Sequence, residues 1–239
     1  MSASDQRWKV LPHGRLTVVD DDIMTVVGDL SMPLTRIPRR MTVVRLRDGR
    51  LVVFSAIALD DESMAVLESF GRPAFLIVPN GHHRLDAPAW KARFPDMQVV
   101  APAGARSRVQ KVVAVDTTTP AFGDAGVDFV PVAGTREHEA ALVVRKASGV
   151  TLVLNDIVGN VRNARGIGGA FLRLMGFAGD RASIPLLVRR VLVKDRSALR
   201  LQLLEWAGIV ALKRVLVSHG EPIEGDARQT LRTLAESLA

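Results

Sequence analysis

Cysteine and tyrosine are both missing from this sequence of 239 residues, and aromatic side chains make up only 5% of it. Without cysteine there is no disulfide, no thiolate ligand and no thiol nucleophile, so any metal has to be held by histidine, carboxylate or water. The scarcity of aromatic rings leaves few platforms on which bases could stack, and no nucleic-acid partner is expected. No uninterrupted apolar run approaches the roughly 18 residues of a spanning helix, and the N-terminal MSASDQRWKV lacks a signal-peptide core, so the expected location is cytoplasmic. Two sequence motifs are also absent: the G-x-S-x-G nucleophile elbow and the G-x-x-x-x-G-K-[ST] phosphate loop. The GIGG at 166–169 neither completes a dinucleotide fingerprint nor follows a strand.

What is present describes a folded α/β chain. Hydrophobic residues reach 48%, enough for a self-sufficient core, and the length suits one domain over 1–239. The formal charge of +7 is unevenly placed. Residues 160–214 carry eleven Arg or Lys against Asp180, Asp195 and Glu205, so that segment is +8 and the rest of the chain close to neutral. Only this insert has the charge to attract an anionic partner.

The first hundred residues alternate β-branched runs with turns. RLTVV, IMTVVGDL and RMTVVRL read as strands, and Asp48-Gly49 before RLVVFSA is a two-residue hairpin signal. DDESMAVLESF, with its acids first, predicts a helix that leads into the strand FLIV. Asp86 is placed as the N-cap of a second helix with Pro88 in its first turn. MQVVAP, VDFVPVAG, ALVVRK and VTLVLND continue the strand pattern. The 160–214 insert turns helical through GGAFLRLMGF, IPLLVRRVLV and SALRLQLLEWAG before RVLVSHG returns to a strand and residues 226–238 close the chain as a helix. Asp20–Asp22 reads as a solvated turn.

The polar residues concentrate where apolar runs end. FLIVP is followed by Asn80, Gly81, His82 and His83; TLVLN by Asp156; RVLVS by His219; and VDFVPVAGTRE by His138. In α/β sheets chemistry gathers at the carboxyl ends of strands, so four of the five histidines and one aspartate are candidates for a single rim. Imidazoles plus a carboxylate suit one zinc or iron with a position left for water. The alternative is that the same residues only hydrogen-bond their loops in a non-catalytic binding module.

These residues resemble the metallo-β-lactamase superfamily, and VRLRDGRLVVFSAIAL, IVPNGHHR and SHGEPI resemble a bacterial branch of it. The resemblance implies a four-layer αββα sandwich with the basic helical insert 160–214 before the last strand, and a metal-dependent hydrolase acting on an ester-, lactone- or phosphoester-like anion. It implies metal ligands among His82, His83, His138, Asp156 and His219, with Asp156 and His219 catalytic. Asn80, Arg162 and Arg165 are assigned to a small anionic substrate, and the insert could also meet an acidic surface peripherally. The superfamily's His-x-His-x-Asp-His signature is degenerate here. Anchored on the strand, Asn80 and His82 take its two leading histidines; anchored on the following KARFP helix, Asn80 takes the second and His83 the last. Either register replaces at least two usual ligands, which favours one ion over two. Ser55 stands where many members carry an aspartate.

Overall fold

The apolar runs form two mixed β-sheets packed face to face. The computed structural model describes residues 8–32, 35–162 and 166–239. The first sheet holds β1 (Thr17–Asp20), β2 (Ile23–Met32), β3 (Thr35–Arg45), β4 (Arg50–Phe54), β5 (Arg72–Ile77) and β6 (Gln98–Val100), side by side in chain order. The second holds β7 (Val127–Pro131), β8 (Ala140–Lys146), β9 (Gly149–Asn160), β10 (Leu212–Gly220) and β11 (Ile223–Glu224), ordered β11-β10-β9-β8-β7. β4, β5 and β6 run parallel, as do β9 and β10; the other neighbours are antiparallel.

The strands are apolar on both faces because both faces are covered. Along each strand alternate side chains go to opposite layers. Val44, Val52, Phe54, Phe75 and Ile77 meet Leu142, Val144, Val153 and Leu216 between the sheets. Their neighbours Val43, Val53, Leu76 and Val99 face outward against α1 (Asp61–Phe70), α2 (Ala87–Arg93) and α3 (Arg106–Val109). On the far side, Val143, Leu152, Val215 and Val217 pack under α6 (Arg196–Gly208) and α7 (Ala227–Glu236). The result is the αββα sandwich. Between β9 and β10 lie α4 (Gly166–Leu174), α5 (Leu186–Val191) and α6, as the helical pattern predicts. The two-residue β11, which the sequence reading lacks, extends the sheet beyond β10. Among the described residues no helix is long and apolar enough to cross a membrane.

Three local expectations are corrected. The turn at Asp48-Gly49 has three loop residues: Leu46 N–H donates to Arg50 O, and Gly49 alone has positive φ, at 81°. A two-residue type I′ turn needs positive φ at both central residues, and Asp48 does not supply it. Asp86 occupies the N-cap position of α2, but its carboxylate makes no capping bond. It lies 2.6 Å from the guanidinium of Arg39, both side chains buried, whereas Asp60 does cap α1, accepting from Ser63 N–H at 2.8 Å. Asp20–Asp22 is not a solvated turn: Asp20 pairs with Arg214 and Asp22 with Arg45 and Lys146.

Two arginines join the sheets. At the start of β10, Arg214 Nη1 donates to Asp20 Oδ2 at 2.8 Å, with their side chains only 5% and 8% exposed. At its end, Arg40 of β3 donates to Val217 O and Gly220 O, and to Thr25 Oγ1. Removing one partner of a buried pair strands the other's charge. Arg214→Met is therefore expected to cost roughly 3 kcal/mol, with Ser148 still donating to Asp20. A lower midpoint of urea unfolding at an unchanged m-value is the expected readout.

Candidate metal centre

Three chain segments deliver the centre, and each is placed by a local departure from regular structure. β5 ends at Ile77, and the chain crosses to the second sheet, where Ala140 N–H donates to Pro79 O and Asn80 bridges Glu139. His83 sits in the loop that follows. β9 does not end at Asp156, contrary to the sequence reading. Its residues Asn155–Val158 bulge out opposite the single residue Ser218, and the ladder resumes with Gly159 beside His219. A bulge re-aims side chains, and this one turns Asp156 into the rim while Ser218 Oγ holds Asn155 Oδ1 at 2.5 Å. His219 comes one residue before Gly220, whose φ of 110° and backbone 2.1 Å from where a Cβ would lie admit no side chain.

The three side chains converge tightly. His83 Nε2 and His219 Nε2 each lie 3.0 Å from Asp156 Oδ1 and 3.2 Å from each other. Ligand atoms on a tetrahedral zinc at about 2.05 Å stand roughly 3.3 Å apart, so the set is already close to ion-holding geometry. The tautomer of His219 follows from its other nitrogen. Nδ1 is 2.7 Å from Pro38 O, and a carbonyl only accepts, so Nδ1 carries the hydrogen. In the neutral ring Nε2 is then a lone pair aimed at a carboxylate oxygen. Such a contact requires a positive charge, whether the imidazolium proton or a metal ion. Ser55 Oγ orients His83 through Nδ1 at 2.8 Å, from a left-handed backbone with φ 57°.

Asn80 and Glu139 support this triad. Asn80 Nδ2 donates to Asp156 Oδ2 at 2.6 Å and to Glu139 Oε2 at 3.2 Å, while its Oδ1 accepts the His82 and His83 amides. Glu139 is fully buried and accepts from Ile157 N–H. Burial, reinforced by the Asp156 charge, pushes the Glu139 carboxyl well up. Burial also opposes ionisation of Asp156, but His83 and His219 overcome it and hold that carboxyl well below its usual range. His219 is lowered by burial and raised more strongly by Asp156, ending above the ordinary imidazole value. The negative charge of the carboxylate pair therefore resides on Asp156.

Among the predicted ligands, the described structure brings His83, Asp156 and His219 together and keeps two apart. His82 is exposed and faces Arg108, with Nη1 3.3 Å from its Nε2. His138 is exposed and bonds through Nδ1 to Arg136 O. Thr135 spends its hydroxyl on Val132 O. A cavity of about 700 Å³ opens over the triad, and His82 and His138 line it with Asn80. Arg162 is not among its lining residues; the exposed side chain donates to Asn160 Oδ1 at 3.2 Å. Arg165 lies outside the described residues. Among the described residues the cations that line the cavity are Arg108, Arg136 and Lys194.

No family model matches the sequence, and no curated protein does. Solved structures do. The metallo-β-lactamase FIM-1 from Pseudomonas aeruginosa, in its mono-zinc form, superimposes with a TM-score of 0.62 at 11% identity, over 96% of this chain and 97% of that one. A metallo-β-lactamase from Erythrobacter litoralis gives 0.64 at 11% identity over 93% and 96%, and one from Hirschia baltica 0.61 at 10% over 94% and 98%. The chain has the metallo-β-lactamase fold. Of the two adjacent histidines, His83 turns inward to Asp156 and His82 turns out to Arg108. Glu139 escaped the sequence reading, although an acid heading the continuous apolar strand AALVV is a signal, because a buried carboxyl must be hydrogen-bonded.

Asn80→Ala removes two donor bonds and strands two amides. It should cost about 2 kcal/mol or more, read as a lower melting temperature. pH acts on the chelator-treated protein through Asp156, His219 and also Glu139, whose raised carboxyl loses its contribution as pH climbs from the ordinary carboxylate range through the folded value. The Asp156 contribution is present above the unfolded carboxyl pKa and is lost as pH falls through the depressed folded value. The His219 contribution is complete below about pH 6.5 and lost as pH rises through its elevated value. Melting temperatures in chelator should accordingly decline above neutral pH, and His219→Gln should flatten that decline.

Proposed function

We propose that this chain is a metal-dependent hydrolase whose single ion, zinc or iron, is held by His83, Asp156 and His219, and that residues 1–239 form one domain with 160–214 as its insert. The observation that carries the reading is the convergence of three ligand atoms within 3.2 Å, with the His219 tautomer fixed so that its Nε2 can take a metal ion in place of a proton. An ion bound there would supply Lewis acidity and a water of lowered pKa at neutral pH. This chain's own residues do the positioning. Pro38 O keeps His219 in the tautomer that leaves Nε2 free to ligate, Ser55 orients His83, and Asn80 occupies Asp156 Oδ2, leaving Oδ1 as the oxygen that would hold an ion. Arg108, Arg136 and Lys194 give the cavity a positive wall for an anionic ester, lactone or phosphoester.

One ion is favoured over two by Asn80, which puts an amide committed to Asp156 and Glu139 where the family signature has a histidine. The same substitution supports the second reading, a non-catalytic small-molecule or protein binding module. Metal analysis separates the two. The purified protein should take up about one equivalent of zinc or iron, releasing protons on binding and binding more tightly as pH rises. His83→Ala, Asp156→Ala and His219→Ala should each abolish stoichiometric uptake, whereas His82→Ala and His138→Ala should retain it. Absence of uptake by the unaltered chain, together with no metal-dependent turnover of aryl esters, lactones or phosphodiesters, would leave the binding module.

A further inference from the structure

The cavity over the triad has two unlike walls. One is built by α5 and its surroundings: Leu187, Val188 and Val191 line it with Phe177, Leu30 and Ile37. The other carries Arg108, Arg136 and Lys194. Among the described residues no carboxylate lies within ion-pair distance of these three cations. A solvated charged surface needs no apolar residues lining the same cavity, and an apolar crevice needs no cations without a carboxylate partner. The pairing of the two selects a ligand with both characters.

The positive wall is held in place by backbone. Lys194 N–H and Asp195 N–H both donate to Gly134 O, which fastens the segment between α5 and α6 to the 134–138 loop. Within that loop Arg136 and Glu137 are left-handed, at φ 53° and 56°. Gly104 packs so closely beneath them that a Cβ there would lie 2.4 Å from Arg136 O. Strained backbone held this firmly by its surroundings is characteristic of ligand-contacting segments. Arg108 lies over the His83 loop, its Cδ 2.7 Å from where a Gly81 Cβ would be. The apolar wall, by contrast, runs out to solvent: Leu187 is 46% exposed and Val191 56%, with Leu186 beside them at 50%. A volume of about 700 Å³ exceeds what a small polar anion would fill.

We infer that the cavity takes an amphiphilic anion, a single alkyl or acyl chain lying along α5 and Phe177 with its anionic head on Arg108, Arg136 and Lys194. This deepens the hydrolytic reading and rests on it for what happens after binding. The head places the adjoining linkage over the triad, and the chain leaves through the mouth that α5 borders. The same chemistry could reach the cavity from a bilayer containing acidic lipid or from a dissolved monomer.

The test uses the full chain in chelator, so binding is read without metal or turnover, by calorimetric titration with butyl, hexyl and octyl phosphate below their aggregation limits. Affinity should rise about two- to fourfold per added methylene, and neutral octanol should bind at least tenfold more weakly than octyl phosphate. The double variant R136N/K194A, in which asparagine tolerates the left-handed site, should weaken all three phosphates by a similar factor and keep the chain-length slope. Leu187→Ser with Val191→Ser should flatten the slope and keep the preference for charge. Each variant's melting temperature verifies that it is folded. A flat slope in the unaltered chain, or variants that titrate like it, overturns the inference. Flotation with phosphatidylglycerol vesicles against phosphatidylcholine distinguishes the sources, since attachment to the acidic vesicles points to the bilayer and octyl phosphate binding without attachment to a dissolved amphiphile. If the slope holds while metal uptake and hydrolysis fail, the hydrolytic reading falls and the amphiphile site stands; the reverse pattern leaves the hydrolase and removes this ligand class.

Discussion

Asn80 is the residue on which the site's geometry depends. Its amide nitrogen reaches two carboxylates carried by the second sheet, and its amide oxygen receives two backbone N–H groups of the loop that leaves the first. A side chain with both donor and acceptor is needed for this, and asparagine is short enough to stay rigid while doing it. An aspartate there would face two carboxylates with no donor, and a histidine could not receive two adjacent amides on one atom. Buried polar networks are stabilising when every member is satisfied. Here satisfaction is what fixes His83 and Asp156 relative to one another, across a boundary where the backbone contributes a single bridge, Asn80 to Glu139.

Much of the architecture was legible because it rests on period-two burial. Runs such as LVVF and ALVV are apolar at every position and, with their β-branched content and flanking turns, read as strands covered on both faces, from which the αββα layering follows. The site was legible in part. That His219 and Asp156 share a rim could be read from where apolar runs break, but which of His82 and His83 turns inward could not, because adjacent loop residues have no fixed period. The β9 bulge was hidden for a related reason: the apolar run breaks at Asn155-Asp156, which reads as the end of the strand, and only the pairing with β10 reveals that the ladder resumes at Gly159 after four residues opposite one. Charge counting pointed to the insert for an anionic ligand, whereas among the described residues only Lys194 of the lining cations belongs to it; Arg108 comes from α3 and Arg136 from the 134–138 loop, both far from the insert in sequence.

The +8 segment is likewise not uniform in role. Arg214 is consumed by Asp20 and Glu224 at the end of the sandwich remote from the triad, and Lys194 lines the cavity. Arg189 and Arg190 sit on the last turn of α5, where cations oppose the negative end of a helix, although six residues make that effect small. A single net charge therefore summarises a structural pair, a cavity wall and a solvated face, which respond differently to salt.

Arg40 has a consequence for how the site can move. Its guanidinium grips the carbonyls on either side of Ser218 and His219, while Pro38, two residues away on the same strand, receives the His219 ring. Histidine, acceptor and clamp thus travel as one piece. His83 enjoys no comparable fastening, since it hangs from a loop through Ser55 and Asn80 side chains. The centre consequently behaves like a vice with one jaw bolted to the bench. Any breathing of the two sheets would be taken up on the His83 side, and widening there would change the grip on an ion without disturbing the orientation of His219.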